Sequence, residues 1–359
     1  MLINGKRGFM EQLGFFKQEE SNDWKWKLSD LDKVEKNGKK VFSCFACGGG
    51  STMGYKLAGY DVIGNCEIDK QMNEIYVANH HPKHNYLMDI RDFNQLESLP
   101  LELYNLDILD GSPPCTTFSM AGQREETWGK EKKFREGQAM QTLDDLSFVF
   151  IDTVKKLQPK VVVMENVEGI MMGEAWSYVQ EIYKKFKDIG YHCQHLLLKG
   201  ETMGVPQTRH RVFFIANRIG KENINLCFDY KPITYGEIKE GGTRPLRKGT
   251  QTYELLSQAT PKDKSIGDIN ARLYNKLSGF QSYIITNDSI VPTIRSKPDI
   301  FIKEDMGTIS RQTIINSQTF PSDYNFGNDS MARTCYVCGM SVPPIMIKRI
   351  AERIYEQWF

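Results

Sequence analysis

The sequence predicts an α/β fold with a Rossmann-like, doubly wound and mostly parallel sheet, followed by a second, smaller and irregular domain. Between Val41 and Asn217, continuous apolar runs alternate with amphipathic stretches. This pattern is typical of parallel strands that are buried on both faces and joined by helices. Near Arg218 the alternation stops, and Lys, Gly, Pro, Thr and Asn become frequent. We therefore expect the sheet to lie in the first two thirds of the chain.

Six apolar runs are the clearest strand candidates, in chain order VFSCFA, YDVIGNC, LDILDG, KVVVMEN, HLLLKG and RVFFIAN. The helical patterns between them are TMGYKLAG, KQMNEIYVANH, LDDLSFVFIDTVKKLQ and WSYVQEIYKKFKDIG. Further on, PPIMIKRIAERIYEQWF is an amphipathic helix opened by prolines. These elements predict an N-terminal extension over residues 1–39, a large catalytic and cofactor-binding domain over 40–217, a small domain over 218–324, and a return to the large domain over 325–359.

Composition argues against a strongly basic protein and against a membrane-spanning one. The 359 residues carry a net charge of +1, so any surface that binds nucleic acid has to be local. No apolar run approaches the roughly 20 residues of a membrane span, and the first residues lack the apolar core of a signal peptide. We expect a cytoplasmic, monomeric protein that does not bind a membrane.

The eight cysteines include two CxxC pairs, Cys44/Cys47 and Cys335/Cys338, which raise the question of a zinc site. Both pairs fall in segments that read as extended, KVFSCFAC and ARTCYVCG. Residues three apart on a strand face opposite sides, so neither pair converges easily on one ion. We expect no metal.

A glycine cluster follows the first strand in VFSCFACGGGSTMG. Gly49 and Gly50 allow a tight turn and a close approach of a ligand at the carboxyl edge of the sheet, although a purely structural turn is the alternative. The next strand ends at Glu67, 18 residues after Gly49, close to the roughly 20 expected for an acid that binds ribose hydroxyls. Asp89 ends a further short strand and can accept a hydrogen bond from an adenine amino group. Because no phosphate-binding motif accompanies them, these residues favour an S-adenosyl cofactor over a dinucleotide.

The stretch DGSPPCTTFS places Cys115 behind a rigid proline pair at the same sheet edge. The strand KVVVMEN ends there too, with Glu165, whose carboxyl is expected to hold a proton and donate it. Arg209 and Arg211 alternate out of the start of RVFFIAN, so we expect them to share a face and to hold a phosphate or a carbonyl oxygen. A thiol, a proton-donating carboxyl and an arginine pair suggest covalent catalysis on an electron-poor ring.

At this point the sequence resembles the cytosine-5 DNA methyltransferase family. The motifs that carry the resemblance follow one another in the family's order: FACGGG, GSPPCTTFS, MENVEG, QTRHR, SQTFPSDY and GMSVPP. The family is a class I methyltransferase fold with a target-recognition domain, and region 218–290 stands in that domain's place. The resemblance implies a restriction-modification, phage or solitary enzyme that acts on double-stranded DNA in the cytoplasm, associated with the nucleoid through that DNA.

The resemblance also implies roles for individual residues. Cys115 would add to carbon 6 of a cytosine flipped out of the duplex, Glu165 would hold the ring nitrogen and amino group, and Arg211, with Arg209 nearby, would contact the base carbonyl or the surroundings of the thiolate. S-adenosylmethionine would donate the methyl group to carbon 5. Its pocket would be lined by Phe45, Glu67, Asp89, Ile90, Pro114 and Leu146.

DNA contacts are expected from two segments. The first, AGQREETWGKEKKFREGQ, resembles a mobile lid. Gln123 and Arg124 at its start, and Ser119 two residues before it, are candidates for contacts with DNA. The second, GGTRPLRKGTQTY, lies in the predicted small domain. It contains arginine and lysine side chains among glycines and threonines, and arginine is a common reader of guanine in the major groove. Its candidate residues are Arg244, Arg247 and Lys248.

Two departures from the family pattern stand out. Cys47 occupies the place of the usual first loop glycine, and Met340 replaces an asparagine. The arginines and leucine common before the FP pair are also absent around residues 314–318. Two alternatives stay open: an RNA cytosine-5 methyltransferase of the transfer-RNA branch, and a non-catalytic regulator that binds DNA and cofactor on the same fold.

Overall fold

The computed structural model describes residues 22–114, 146–275, 282–297 and 299–359. Four of the predicted site residues lie outside these ranges: Cys115, Ser119, Gln123 and Arg124. The same holds for most of the predicted N-terminal extension.

The first eight strands of the described residues are β1 (Lys40–Cys44), β2 (Asp61–Glu67), β3 (His84–Leu87), β4 (Ile108–Gly111), β5 (Val161–Val167), β6 (His192–Lys199), β7 (Gln207–Thr208) and β8 (His210–Asn217). Among the described residues, seven of them form one sheet in the order β3-β2-β1-β4-β5-β8-β6. All neighbouring pairs from β3 to β5 are parallel, while β8 runs antiparallel to both β5 and β6. The predicted doubly wound, mostly parallel sheet is confirmed, and the reversed strand β8 is the feature that the apolar pattern could not reveal.

The helices that cover this sheet come from both ends of the described chain: α1 (Gly50–Leu57), α2 (Lys70–His80), α3 (Ile90–Gln95), α4 (Leu146–Leu157), α5 (Trp176–Asp188) and, much later, α11 (Pro344–Trp358). One face of the sheet packs on α3, α4 and α5, and the other packs on α1 and α11. Successive residues of a strand therefore enter different cores, as Val162 and Val163 of β5 do. This two-sided burial explains why the strands read as unbroken apolar runs.

The region after Arg218 contains short elements. Its strands are β9 (Arg244–Pro245), β10 (Tyr283–Ile285), β11 (Val291–Pro292), β12 (Ile300–Ile302) and β13 (Gly307–Thr308). Its helices are α6 (Tyr235–Ile238), α7 (Gln251–Ser257), α8 (Ile266–Tyr274) and α9 (Arg311–Ser317). A small sheet forms in the order β10-β12-β13-β9, and β11 pairs with β7 beside the large sheet. Three-residue strands leave too little periodicity to predict, which is why this region read as irregular.

The described part of the N-terminal segment packs against later parts of the chain. Trp24 and Trp26 are buried, and the indole nitrogen of Trp26 donates to the carbonyl of Thr319 over 2.9 Å. The Asp23 carboxylate forms an ion pair with Arg349 of α11. The segment from residue 22 onward is thus part of the packed structure, and the four-part domain division stays a prediction.

The prediction that both cysteine-pair segments are extended is wrong. In KVFSCFAC, β1 ends at Cys44, and Phe45 and Cys47 follow with φ of 55° and 44°. The segment ARTCYVCG, read as extended, lies in helix α10 (Met331–Met340), whose N-cap Ser330 accepts a hydrogen bond from the amide of Arg333. Cys335 and Cys338 therefore face the same buried side instead of opposite sides. Thr, Val and Tyr in this segment favour a strand locally, and packing in a core formed with residues before and after Arg218 overrides that preference. None of the helices in the described ranges is long and apolar enough to cross a membrane.

Candidate active site

The carboxyl ends of β1, β2 and β4 meet at one edge of the sheet, where an open cleft lies. Carboxyl edges of doubly wound sheets are where ligands bind in this architecture. The described residues that line the cleft are Phe45, Cys47, Cys66, Glu67, Ile68, Asp69, Met72, Met88, Asp89, Ile90, Ser112, Pro114, Leu146, Tyr336 and Met340.

The cleft brings together six of the eight residues that were predicted to bind the cofactor: Phe45, Glu67, Asp89, Ile90, Pro114 and Leu146. Pro114 is the residue directly before Cys115, so the proline pair leads from the end of β4 to this cleft. Gly49 and Gly50 are not part of the lining.

Glu67 is almost fully buried at the end of β2, and its two carboxylate oxygens accept backbone hydrogen bonds. The amide of Cys47 donates to Oε2 and the amide of Asp69 donates to Oε1, each over 2.8 Å. Burial raises the pKa of Glu67, and these amides oppose the rise. Glu67 thereby joins the loop after β1 to the turn after β2, and its remaining lone pairs can accept from a ligand.

Asp89 acts as the N-cap of α3. Its Oδ1 accepts from the amide of Arg91 over 2.8 Å, and its Oδ2 lies 3.2 Å from the guanidinium of the same residue. The carboxylate thus caps a helix and also lines the cleft. A ligand that binds Asp89 would share its two oxygens with Arg91.

The glycine loop is shaped by protein packing. Gly49 has φ of 76°, in the left-handed region, and a Cβ there would lie 2.2 Å from Nε2 of His80. A Cβ on Gly50 would lie 2.2 Å from the carbonyl oxygen of Val342. The loop also receives a hydrogen bond from the Tyr324 hydroxyl at the carbonyl of Gly48. The close approach inferred from the glycines is therefore, in the structure, an approach to α2 and to the segment before α11.

Two of the three departures from the family pattern, Cys47 and Met340, lie in the cleft wall. Cys47 has φ of 44°, so this residue keeps the left-handed conformation that a glycine would adopt most easily. Burial raises the pKa of its thiol to about 12, which leaves the thiol neutral. Met340, at the end of α10, also lines the cleft.

The second half of the site is an ion pair between β5 and β8. Nε of Arg211 lies 2.8 Å from Oε1 of Glu165, and both side chains are mostly buried. Antiparallel pairing places these two strands side by side, with Val167 opposite Arg211. The pair links the end of the ENV strand to the QTRHR segment, while the roles of the two residues in catalysis stay predictions.

Arg209 has different partners from Arg211. It precedes β8 and is buried, and its guanidinium donates to the carbonyls of Ile294 and Gly339 over 3.2 and 3.0 Å. Its Nε has no hydrogen-bond partner among the described residues. The alternation along the strand predicted that Arg209 and Arg211 share a face and hold one group. In the structure Arg211 pairs with Glu165, whereas Arg209 joins Ile294 and Gly339 to the large sheet.

Several residues of the site were not singled out from the sequence. Asp69 and Tyr336 reach the cleft from the N-cap of α2 and from α10. Asn166 is buried beside Glu165, and its Nδ2 has no partner in the described part of the chain. Asn166 could have been predicted, because it is part of the ENV motif. Tyr336 could not, because it belongs to a helix that is far in sequence from the strands of the cleft.

The predicted DNA contacts of the small domain lie on the surface. Arg244 is in the edge strand β9, and Arg247 and Lys248 are in the turn that follows. All three side chains are exposed, as a contact with a polyanion requires.

Comparison with known proteins gives one family match, to the model described as C-5 cytosine-specific DNA methylase, over residues 39–356. The type II methyltransferase M1.HphI of Haemophilus parahaemolyticus is 27% identical over 334 residues, which span 87% of this chain and 85% of that relative. The type II methyltransferase M.FnuDI of Fusobacterium nucleatum is 33% identical over 200 residues, and the match covers 56% of this chain and about half, 53%, of the relative.

The fold is also similar to that of a solved structure, a putative DNA modification methyltransferase encoded within a prophage (E. coli). The TM-score is 0.59 at 18% identity, and the match covers 89% of this chain and 99% of the other. At this identity the similarity shows the fold.

Proposed function

Because the chain belongs to the C-5 cytosine-specific DNA methylase family, we propose that it methylates carbon 5 of cytosine in a specific sequence of duplex DNA through a covalent adduct with Cys115. The observation that supports this most directly is the Glu165–Arg211 pair at the sheet edge to which Pro114 leads. The names of the relatives favour a restriction-modification enzyme or a phage or solitary counterpart.

The residues of the cleft fit S-adenosylmethionine. Phe45, Ile90 and Leu146 offer an apolar wall for an adenine ring, and Glu67 can accept from ribose hydroxyls. The described lining contains three carboxylates, with Asp69 and Asp89, and no lysine or arginine. That charge suits a cationic sulfonium and amino group and would repel a phosphate, which favours an S-adenosyl compound over a dinucleotide. The cofactor would supply an electrophilic methyl group.

The chain's own residues would carry the remaining chemistry. The thiolate of Cys115 adds to carbon 6, the electron pair of the 5,6 double bond moves toward carbon 5, and Glu165 gives its proton to the ring nitrogen. Arg211 holds Glu165 in place and can reach the base carbonyl. After carbon 5 has gained the methyl group, a base removes the proton from carbon 5, and the electron pair released breaks the bond to Cys115.

The target carbon is inside the base stack, so the cytosine must be flipped out, at a cost of a few kcal/mol. We propose that the small domain recovers this cost through contacts of Arg244, Arg247 and Lys248 with phosphates or bases, and that Gln123 and Arg124 contribute from the nucleophile side. Arginine is the commonest reader of guanine in the major groove, which is compatible with a specific target sequence.

The test is to incubate the protein with duplex DNA and labelled S-adenosylmethionine, then to locate 5-methylcytosine by bisulfite sequencing. DNA that contains 5-fluorocytosine should trap a covalent complex, because the fluorine cannot be eliminated. We expect the trapped complex with the native chain and none with Cys115→Ser.

Two results would contradict this proposal. Faster labelling of transfer RNA than of any duplex DNA would assign the chemistry to RNA. Tight DNA binding without methylation at saturating cofactor would assign the chain a regulatory role.

A further inference from the structure

The N-terminal segment 22–28, which we call the strap, contacts a much later part of the chain and has no role in the chemistry proposed above. The indole nitrogen of Trp26 donates to the carbonyl of Thr319 over 2.9 Å. The carbonyl of Trp26 accepts from the amide of Ser322 over 3.0 Å. The strap therefore holds this later part of the chain through a side chain and through its backbone.

Both ends of the strap are fixed by further contacts. At its start, the Asp23 carboxylate forms an ion pair with Arg349 of α11 over 2.6 Å. At its end, the amide of Leu28 donates to Oδ1 of Asp323 over 2.8 Å. The strap thus connects α11 to the segment that contains Asp323.

Thr319 has a backbone conformation that needs support. Its φ is 57°, in the left-handed region that a β-branched residue rarely adopts, and the residue is fully buried. Two contacts hold it there, since its carbonyl accepts from Trp26 and its hydroxyl accepts from the amide of Ile345 over 3.2 Å. A strained residue persists only while its surroundings hold it. The direction in which the chain continues toward Tyr324 therefore depends on the strap.

Tyr324 joins this segment to the cofactor cleft. Its buried hydroxyl donates to the carbonyl of Gly48, which belongs to the peptide group between Gly48 and Gly49. The amide of the same peptide group donates to the carbonyl of Ala46 over 2.7 Å, so both sides of this peptide group are held. The preceding residue, Cys47, lines the cleft. A shift of Tyr324 would therefore change the loop that borders the cleft.

We propose that Trp26 is a positioning residue for the cofactor loop and that it acts through Tyr324. The strap holds the turn before Tyr324, and the Tyr324 hydroxyl keeps the peptide group after Gly48 in the orientation that cofactor binding requires. The inference rests on the proposed function, because it takes the cleft to bind S-adenosylmethionine. It predicts that the strap contributes to cofactor affinity as well as to stability.

The experiment measures the binding of labelled S-adenosylmethionine by equilibrium dialysis, at a temperature at which circular dichroism shows each chain folded. Trp26→Phe keeps an aromatic ring and removes the indole donor. We expect it to bind the cofactor roughly two- to tenfold more weakly than the native chain, as the loss of one neutral hydrogen bond would give. Tyr324→Phe, which removes only the hydroxyl, should weaken binding at least as much. Native affinity in Trp26→Phe would overturn the proposal.

A double-mutant cycle shows whether the two residues act by one route. If Trp26 acts through Tyr324, the chain with both replacements should lose less affinity than the product of the two single losses. Losses that multiply would mean that Trp26 affects the cleft independently of Tyr324, and the proposal would then be wrong.

Trp358→Phe is the matched control. Trp358 is 5% exposed and Trp26 is 8% exposed, but Trp358 belongs to the core between the sheet and α11. The control should lower stability and keep the native cofactor affinity. An equal loss of affinity in Trp358→Phe and Trp26→Phe would show a general effect of core truncation and refute the specific role of Trp26.

Asp323→Ala keeps the test decisive if Trp26→Phe fails to fold. Asp323 is exposed, and its replacement removes the acceptor of the Leu28 amide without opening a core. We expect weaker cofactor binding here too, and unchanged affinity would count against the strap. If the native chain binds no S-adenosylmethionine, it is the proposed function that fails, whereas native binding that the variants leave unchanged refutes only this inference.

Discussion

The two carboxylate oxygens of Glu67 accept hydrogen bonds from the backbone amides of Cys47 and Asp69. This side chain therefore sets the position of two loops that border the cleft. Its place at the end of β2 made Glu67 predictable, because the end of a parallel strand fixes where a side chain points. Asp69 and Tyr336 could not be predicted in this way. They reach the same cleft through the packing of α2 and α10, which no local pattern records.

We expect Glu67→Gln to weaken the binding of S-adenosylmethionine by roughly tenfold or more, because hydrogen bonds to a charged group contribute about 1.5–3 kcal/mol each. An amide side chain has one acceptor oxygen, so one of the two backbone amides also loses its partner. Isothermal titration calorimetry measures the affinity. Glu102→Gln is the matched control, since Glu102 pairs with Lys83 and His84 outside the cleft lining. Equal affinity of Glu67→Gln and the native chain would remove Glu67 from the binding site.

At the scale of elements, α1 and the loop before it pack closely on their neighbours because Gly49 and Gly50 have no side chains. The space over Gly49 is filled by the ring of His80. Burial lowers the pKa of His80 to about 3, so the ring is neutral and packs as an apolar group does. The glycine cluster was recognisable from the sequence. Its partner was not, because His80 ends a helix that the sequence predicts equally well without it.

Gly49→Ala should lower the free energy of unfolding by more than the strain of a left-handed alanine, because the added Cβ would also clash with His80. Gly220→Ala is the matched control, because Gly220 has a similar φ of 71° and nothing within 4 Å of its Cβ position. We expect about 1–2 kcal/mol for the control, and about 1–3 kcal/mol more for Gly49→Ala from overpacking. Urea denaturation measures both. Adding His80→Ala to Gly49→Ala should recover part of the difference, and a double variant no more stable than Gly49→Ala would exclude the steric explanation.

At the scale of the whole molecule, charge is balanced overall and uneven locally. The net charge is +1, yet Arg244, Arg247 and Lys248 are exposed close together in the small region. The sequence indicated this patch but could not place it, since the sheet that carries β9 consists of strands too short to recognise. The packing of the small region on the large one was equally hidden. It depends on long-range contacts such as those of Arg209 with Ile294 and Gly339.

Replacing Arg247 with alanine should weaken DNA binding and reduce the slope of log affinity against log salt by roughly one. Fluorescence anisotropy with duplex DNA at several salt concentrations gives the slope. Lys187→Ala is the control, because Lys187 is exposed in the last turn of α5, just before β6 begins, and so lies at the edge of the sheet opposite the cleft. Identical slopes for Arg247→Ala and Lys187→Ala would show that Arg247 does not meet the phosphate backbone.

The contact between α1 and α11 has a consequence for how the polypeptide is made. The hydroxyl of Tyr60, which follows α1, donates to the carbonyl of Ala351 in α11 over 2.9 Å, and α11 completes the core on that face of the sheet. Residues 50–60 leave the ribosome early, whereas residues 344–358 are synthesised almost 300 positions later. Until residues 344–358 have been synthesised, the nascent sheet lacks the α11 side chains on that face, so this core is completed long after β1 and α1 have been made.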